Sequence, residues 1–521
     1  MNILLLSMPD SFEHMAPVAI RIPNGALASL AGNVDRHHRV SIADLILVQG
    51  RVGPTVARLL QELKPDVVGL SVMTFQRATA MKVAELVHRL RPAAHIVAGG
   101  YDPSLAPEAY VPCAPIEFLV RGEGEFTFRE LLRALESGAD PNTIAGLSYR
   151  RGDGFVHNPN RPVASLKSDE LQLPNRGARV LGGYTVLGRQ ADVVETSRGC
   201  TYDCSFCSII EMRGRNFHPY PIERVLADIV DSRNHGARSI FLVDDNITLD
   251  VRRFEALCEA IIESGLAGIE YVMQAMTAPL AEHGARLAPL MRRAGFRYVF
   301  LGIENVLESD LAFLKAGAKN THRHAGQKVG NAAVTAIEHL HRSGIYVVGG
   351  LIVGSPDDTR ESIEANLEFA RRYVDWPYIQ HPTPYPRTPM TDDFKRRNLI
   401  VDKDVAHYDG TTAVVGTEHV APREVEFLRW RAERWMKLRH MPKACRHSPG
   451  FVLRHGRAML QHTFVGSTWR SALGLEDEHA AFDRFREHRR REREAATSVE
   501  VPDYGAYAPT ALKSPALTIE S

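Results

Sequence analysis

The hydrophobic pattern switches period again and again along this chain. Short apolar runs at 3–6, 40–43, 67–72, 96–98 and 116–120 read as strands. Between and after them, apolar residues recur at helical spacing over 26–30, 56–63, 78–90 and 126–135. Strands alternating with helices predict a mostly parallel sheet covered on both faces, a doubly wound α/β unit over 1–140. Such sheets take ligands outside the carboxyl ends of their strands. A less regular stretch follows over 141–191, read as a linker with a small hairpin around Arg150-Arg151-Gly152-Asp153-Gly154.

The alternation restarts at Asp192. Strands are expected at 193–196, 239–243, 269–274, 297–302, 345–353 and 378–380, with helical patterns at 222–231, 253–263, 287–293, 332–342 and 362–372. Six strands with interleaved helices over 192–400 fit a partial or full parallel barrel, whose chemistry sits on the loops after the strands. Over 401–495 the strand signal fades into a mainly helical segment. A helix is expected at 424–440, stopped by Pro442, with Trp430 and Trp435 among arginines. The preferred reading packs its tryptophans on the barrel and leaves its arginines solvated. The alternatives are a peripheral membrane contact and a nucleic-acid contact. Residues 482–494 form a charged run with little apolar face, and 496–521 read as a disordered tail.

Composition narrows the class. The 521 residues carry 63 Lys and Arg against 62 Asp and Glu, a net charge of +1, so no global field favours a nucleic-acid partner. The first twelve residues lack the basic flank of a secretory signal, and no apolar run is long enough to span a bilayer. Six cysteines are too few for a disulfide scaffold, which points to a reducing cytoplasm.

Three of those cysteines fall together in Arg198-Gly199-Cys200-Thr201-Tyr202-Asp203-Cys204-Ser205-Phe206-Cys207, directly after a predicted strand. Three thiolates on one loop can hold three irons of a [4Fe–4S] cluster, leaving the fourth iron open to a ligand. The competing readings are a zinc site, for which His218 is a loosely spaced fourth ligand, and buried structural thiols. Cys113, Cys258 and Cys445 are scattered and read as incidental.

The cysteine spacing, with an aromatic directly before the third cysteine, resembles the radical S-adenosylmethionine (SAM) superfamily. The resemblance implies a partial (β/α)6 barrel and an open iron that chelates the amino and carboxylate groups of SAM. It also implies reductive cleavage of the carbon–sulfur bond and a 5′-deoxyadenosyl radical that takes hydrogen from the substrate. Phe206 then matches the aromatic beside the adenine. Asp244-Asp245-Asn246 stands where many members carry Gly-Gly-Glu, a departure familiar in the cobalamin-linked branch. Asp245 is expected to oppose the SAM ammonium, to cap the following helix, or both. Glu304 resembles the acid that accepts the ribose hydroxyls, and Gly350, Ile352 and Gly354 resemble the strand that lines the adenine.

In the first layer, Ser71 and Met73, then Gly99 and Gly100, end consecutive predicted strands ahead of Arg121-Gly122-Glu123-Gly124-Glu125. This order resembles the Rossmann-like cobalamin-binding domain fused before many radical SAM barrels. The Asp-x-His-x-x-Gly loop that ligates cobalt is absent, and His14 is a candidate ligand by proximity alone. The alternative is a domain that keeps the fold without the cofactor.

Together the resemblances imply a cobalamin-dependent methyltransferase acting on an unactivated carbon of a small molecule or lipid. A flavodoxin or ferredoxin is the electron donor they imply. The alternatives are rearrangement, cyclisation or oxidation without net methyl transfer, and a non-catalytic cobalamin or iron–sulfur sensor. Gln274, Met276, His381, Tyr385 and Arg387 are the expected substrate wall.

Overall fold

The computed structural model describes residues 1–11, 20–167, 170–324, 327–464 and 474–501. His14 and the tail beyond residue 501 lie outside these residues. The first strand, Asn2–Ser7, is buried from Ile3 onward and pairs in parallel with Arg39–Asp44 on one side and Val67–Ser71 on the other. His95–Gly99 and Phe118–Val120 extend the sheet in parallel. The order of these five strands is second, first, third, fourth, fifth, so the winding reverses beside the first strand. That reversal opens a crevice at the carboxyl ends of the strands. Helices cover both faces: Leu4, Leu6 and Val68 pack into one buried cluster, Ile3, Leu5 and Val97 into another.

The expected linker is structured. Its hairpin, Leu147–Arg151 with Gly154–His157, adds two antiparallel strands to the edge of the first sheet. Downstream, Arg176 is buried among Asp192, Asp228 and Asp231, at 2.8, 2.6 and 2.8 Å. The Tyr184 hydroxyl donates to Asp44 at 2.6 Å. These long-range polar contacts carried no periodic signal, so the stretch read as irregular.

The second sheet holds six parallel strands: Arg189–Val194, Ser239–Leu242, Glu270–Met276, Phe296–Glu304, Tyr346–Ile352 and Trp376–Gln380. Its first and last strands do not pair, so it forms an open arc, a partial barrel. The short strands Thr185–Val186 and Ile20–Arg21 continue its first edge in antiparallel fashion, and the second of these precedes the first domain's opening helix. Ile240, Met273, Leu301 and Val347 face the covering helices in the largest core cluster.

The C-terminal segment departs from expectation in five ways. The Trp-bearing helix runs Pro422–His447 with Pro442 inside it. Packing on the helix Arg360–Tyr373 and the last barrel strand outweighs the local penalty, and Lys443 donates to the Arg371 and Val374 carbonyls at 2.9 and 2.7 Å. Trp430 is buried, yet it packs on Phe427 and Phe482 rather than on the barrel. Arg429 and Arg434 are buried beside acceptors: Arg429 donates to the Thr411 carbonyl at 2.5 Å, and Arg434 reaches Glu478 at 2.5 Å. The charged run is a helix, Glu478–Ala496, whose Phe482 is fully buried. Beyond it, Val499 and Val501 rest on the first domain's core, so the tail returns to the start of the chain.

Candidate active site

The cysteine loop leaves the first barrel strand and is stapled at its root by two carboxylates from the second. Asp244 accepts from the Thr196 amide and hydroxyl at 2.7 and 2.5 Å and from the Ser197 hydroxyl. Burial raises its pKa to about 7 despite these donors. Asp245 accepts from the Gly199 amide at 2.7 Å. The following helix is capped by Asp250, whose side chain accepts from Arg253, so Asp245 is not its cap. Gly199 has φ +89, and a Cβ there would meet the Asn216 carbonyl oxygen at 2.5 Å. That position tolerates no side chain.

Cys200 and Cys204 are buried, and Cys207 is half-buried. Asn246 donates toward Cys200 Sγ at 3.5 Å and Met276 Sδ at 3.2 Å. The middle of the loop is pinned from the other side of the barrel. The Ser205 amide and hydroxyl donate to the Leu314 and Phe313 carbonyls at 3.0 and 2.8 Å. Burial pushes the Cys207 thiol up to about 12 and raises Cys204 as well. Ionising such thiols in place requires a compensating cation or metal.

One such cation is present, and sequence reasoning missed it. Lys319 is half-buried. Burial works against its charge, but Glu304 and the three cysteines outweigh it and hold the ammonium above the ordinary lysine value. Its Nζ lies 3.5 Å from Glu304 Oε1 and 5.8 Å from the centre of the Phe206 ring. The backbone there is fixed by Thr277, which donates to the Lys319 carbonyl at 2.6 Å, and by Asn320, which donates to the Ile303 carbonyl at 2.6 Å. Nothing in the run Ala316-Gly317-Ala318-Lys319 signals this role.

Glu304 ends its strand at φ +61, a left-handed conformation that a non-glycine residue rarely adopts, at a break in strand register. Gly302 and Gly350 are register partners. A Cβ on Gly302 would meet Glu304 Oε1 at 3.0 Å, and one on Gly350 would meet the Phe300 ring at 2.8 Å. Ile352 shares an apolar cluster with Phe206 and with Met73 of the first domain. Gly354 serves a different purpose: at φ +102 it turns the chain, its amide donating to Asp358 at 2.8 Å, and its α-carbon faces Val425.

Ser71, Met73, Gly99 and Gly100 line a cavity of about 380 Å³ between the two domains. Gly100 has φ +106, and a Cβ there would sit 2.9 Å from the Val72 carbonyl oxygen. The opposite wall comes from the barrel and includes Arg198, Arg213, Tyr220 and Asp245. Arg198 bridges the domains, with Nη2 2.7 Å from Glu125 Oε1, Nε 2.7 Å from Glu195 and Nη1 3.6 Å from Glu123. Arg213 Nε and Nη1 and Glu123 Oε1 are buried yet make no hydrogen bond. Arg213 Nη1 stands 3.9 Å from Glu123 Oε1 and 3.7 Å from Asp245, within ion-pair range but too far to hydrogen-bond.

Of the expected substrate wall, Gln274 is exposed and Met276 is buried. His381 is also buried. Burial, reinforced by Arg429, lowers its pKa to about 3, and its Nδ1 faces the Val353 carbonyl at 3.3 Å. It is a neutral core histidine. Tyr385 is half-buried, with its phenol pKa raised by desolvation, and Arg387 is exposed at φ +65.

Residues 194–370 match the Radical SAM superfamily, and residues 15–132 match the B12 binding domain. An uncharacterised methyltransferase of Pyrococcus horikoshii is 28% identical over 431 residues, covering 82% of this chain and 90% of that protein. An anaerobic magnesium-protoporphyrin IX monomethyl ester cyclase of Rubrivivax gelatinosus is 27% identical, covering 75% and 69%. The radical S-adenosylmethionine methyltransferase TsrM from Kitasatospora setae, solved with cobalamin and a [4Fe-4S] cluster, shares the fold. Its TM-score is 0.62 at 20% identity, over 76% of this chain and 78% of that one.

Proposed function

We propose that this chain, a member of the radical SAM superfamily with an N-terminal B12 binding domain, is a cobalamin-dependent methyltransferase that cleaves SAM reductively. The observation that carries the reading is one arrangement. Three thiols sit on a loop at the carboxyl end of the first barrel strand, and that loop is tied by Arg198 to a cavity shared with the N-terminal domain.

The residues present fit both groups. Cys200, Cys204 and Cys207 would hold three irons of a [4Fe–4S] cluster, and Lys319 offsets the charge of the thiolates. The Arg213 and Glu123 atoms that make no hydrogen bond offer a donor and an acceptor to the carboxamides that rim a corrin, while Gly99 and Gly100 keep the sheet edge bare. Bound there, the cluster supplies the electron that splits the SAM carbon–sulfur bond, and the corrinoid carries the methyl group.

The chain's own side chains bind and orient. Glu304 accepts from the ribose hydroxyls of SAM, with Lys319 beside it to fix its carboxylate. Asp245 holds the Gly199 amide and offers the negative charge that an ammonium requires. Phe206 and Ile352 provide an apolar surface for the adenine and exclude water. The substrate is a small molecule or a lipid that offers an unactivated carbon.

A second reading, rearrangement or cyclisation without net methyl transfer, is favoured by the cyclase relative, which matches over three quarters of the chain. One experiment separates the two. The anaerobically reconstituted protein, given SAM, reductant and a host metabolite extract, should yield 5′-deoxyadenosine and a product heavier by one methylene. Cleavage of SAM with a product of altered unsaturation and unchanged carbon count would favour the second reading. Absence of SAM cleavage would refute both.

A further inference from the structure

Seven large apolar side chains are exposed among the described residues, and four of them, Trp435, Leu453, Leu460 and Leu475, lie close together in sequence. They fall in a stretch from Arg434 to Leu475 that holds no aspartate or glutamate in 42 residues, against eight lysines and arginines. The chain as a whole balances its charges to +1, so this stretch is a local departure. None of its described residues takes part in the site described above.

The geometry shows how the surplus is presented. The helices Pro422–His447 and Pro449–Phe464 form a hairpin that turns at Ser448. One side of the hairpin docks on the barrel. Ala444, Phe451 and Met459 pack with Tyr346 and Val348, and His455 Nε2 lies 3.0 Å from Glu270. The other side carries Arg439, Arg446, Arg457, Leu453 and Leu460, all exposed. Leu453, Arg457 and Leu460 follow at helical spacing and share one face, and Leu453 is 88% exposed.

A solvated helix face mixes both signs of charge and keeps large apolar side chains few. A nucleic-acid face is basic, but it gains nothing from leucines held in water. Basic residues interleaved with exposed Leu and Trp suit an interface where hydrocarbon lies beneath anionic headgroups. No helix among the described residues is long and apolar enough to cross a membrane, so the contact is peripheral. We infer that this hairpin docks the enzyme on an anionic lipid bilayer. Leu453 and Leu460 enter the headgroup boundary while Arg446 and Arg457 meet lipid phosphates.

The test uses the full-length reconstituted protein and sedimentation with two kinds of vesicle, phosphatidylcholine alone and an equimolar mixture with phosphatidylglycerol. The protein should sediment with the mixed vesicles and stay in solution with the neutral ones. Each basic side chain near an anionic surface is worth about fivefold in partition, so the Arg446→Glu, Arg457→Glu double variant should lose at least about 25-fold. The Leu453→Glu, Leu460→Glu double variant should also lose binding. Both should keep wild-type iron content and corrinoid retention, which separates loss of docking from loss of the fold or of the proposed activity. Three results would each overturn the inference: no sedimentation with mixed vesicles, equal sedimentation with neutral ones, or binding untouched by the leucine changes. A short single-stranded RNA that binds tightly and displaces the protein from vesicles, with the leucine variant binding it normally, would reassign the surface to nucleic acid.

Discussion

Glu125 begins the last helix of the N-terminal domain and ends against Arg198, two residues before the first cysteine. Both side chains are about 7% exposed and their charged atoms lie 2.7 Å apart, while Ser29 donates to the same carboxylate oxygen at 2.7 Å. Burial alone would raise the Glu125 pKa, but Arg198, with Ser29, holds it down to about 2. The gap from the ordinary 4.5 corresponds to about 3 kcal/mol of differential stabilisation. The sign follows from the lowered value: the contribution is complete above pH 4.5 and is lost as pH falls towards 2. Removing one partner of a buried pair costs about 3–5 kcal/mol because the other charge stays buried. Glu195 and Glu123 still face Arg198, so Glu125→Ala should fall at the lower end, about 3 kcal/mol at neutral pH. Removing both charges, as Glu125→Ala with Arg198→Met, should cost more than the single change, since Glu195 and Glu123 then lose their cation. Urea unfolding of the anaerobic protein, followed by tryptophan fluorescence, measures both. A single-variant loss under about 1 kcal/mol, or a double variant as stable as the single, would refute the buried-pair argument.

Changing Cys200, Cys204 and Cys207 together to Ala should abolish iron loading by the reconstituted protein, measured by elemental analysis; unchanged iron content would sink the ligand assignment. Glu304→Gln and Lys319→Met should each weaken SAM binding by about 1.5–3 kcal/mol in calorimetry, and equal affinity in either variant would remove that residue from the pocket. Gly100→Ala forces a side chain at φ +106 toward the Val72 carbonyl oxygen, so the variant should lose hydroxocobalamin on desalting while keeping its iron. Full corrinoid retention would place the ligand elsewhere.

The two sheets were legible because each depends on short-range pattern. A buried parallel strand is an apolar run, its covering helix has a repeat of 3.6, and both are visible within a dozen residues. The thiol loop was legible for the same reason: its three cysteines fall within eight residues, so their spacing is written in order. Ser71, Gly99 and Gly100 line the cavity because they end parallel strands, where such sheets open their crevice. Tertiary packing decided everything that joins distant segments. Glu125 meets Arg198 across 73 residues, and Tyr184 meets Asp44 across 140. Lys319 reaches the thiols because the chain after Glu304 turns back under Thr277 and Asn320, a path that no periodicity encodes. Pro442 stayed inside its helix, and Arg429 and Arg434 went inward, because neighbouring elements supplied the contacts and acceptors that a lone helix lacks. Local order follows from backbone sterics and hydrophobic period, whereas the pairing of buried charges depends on which surfaces meet, and only the assembled molecule decides that.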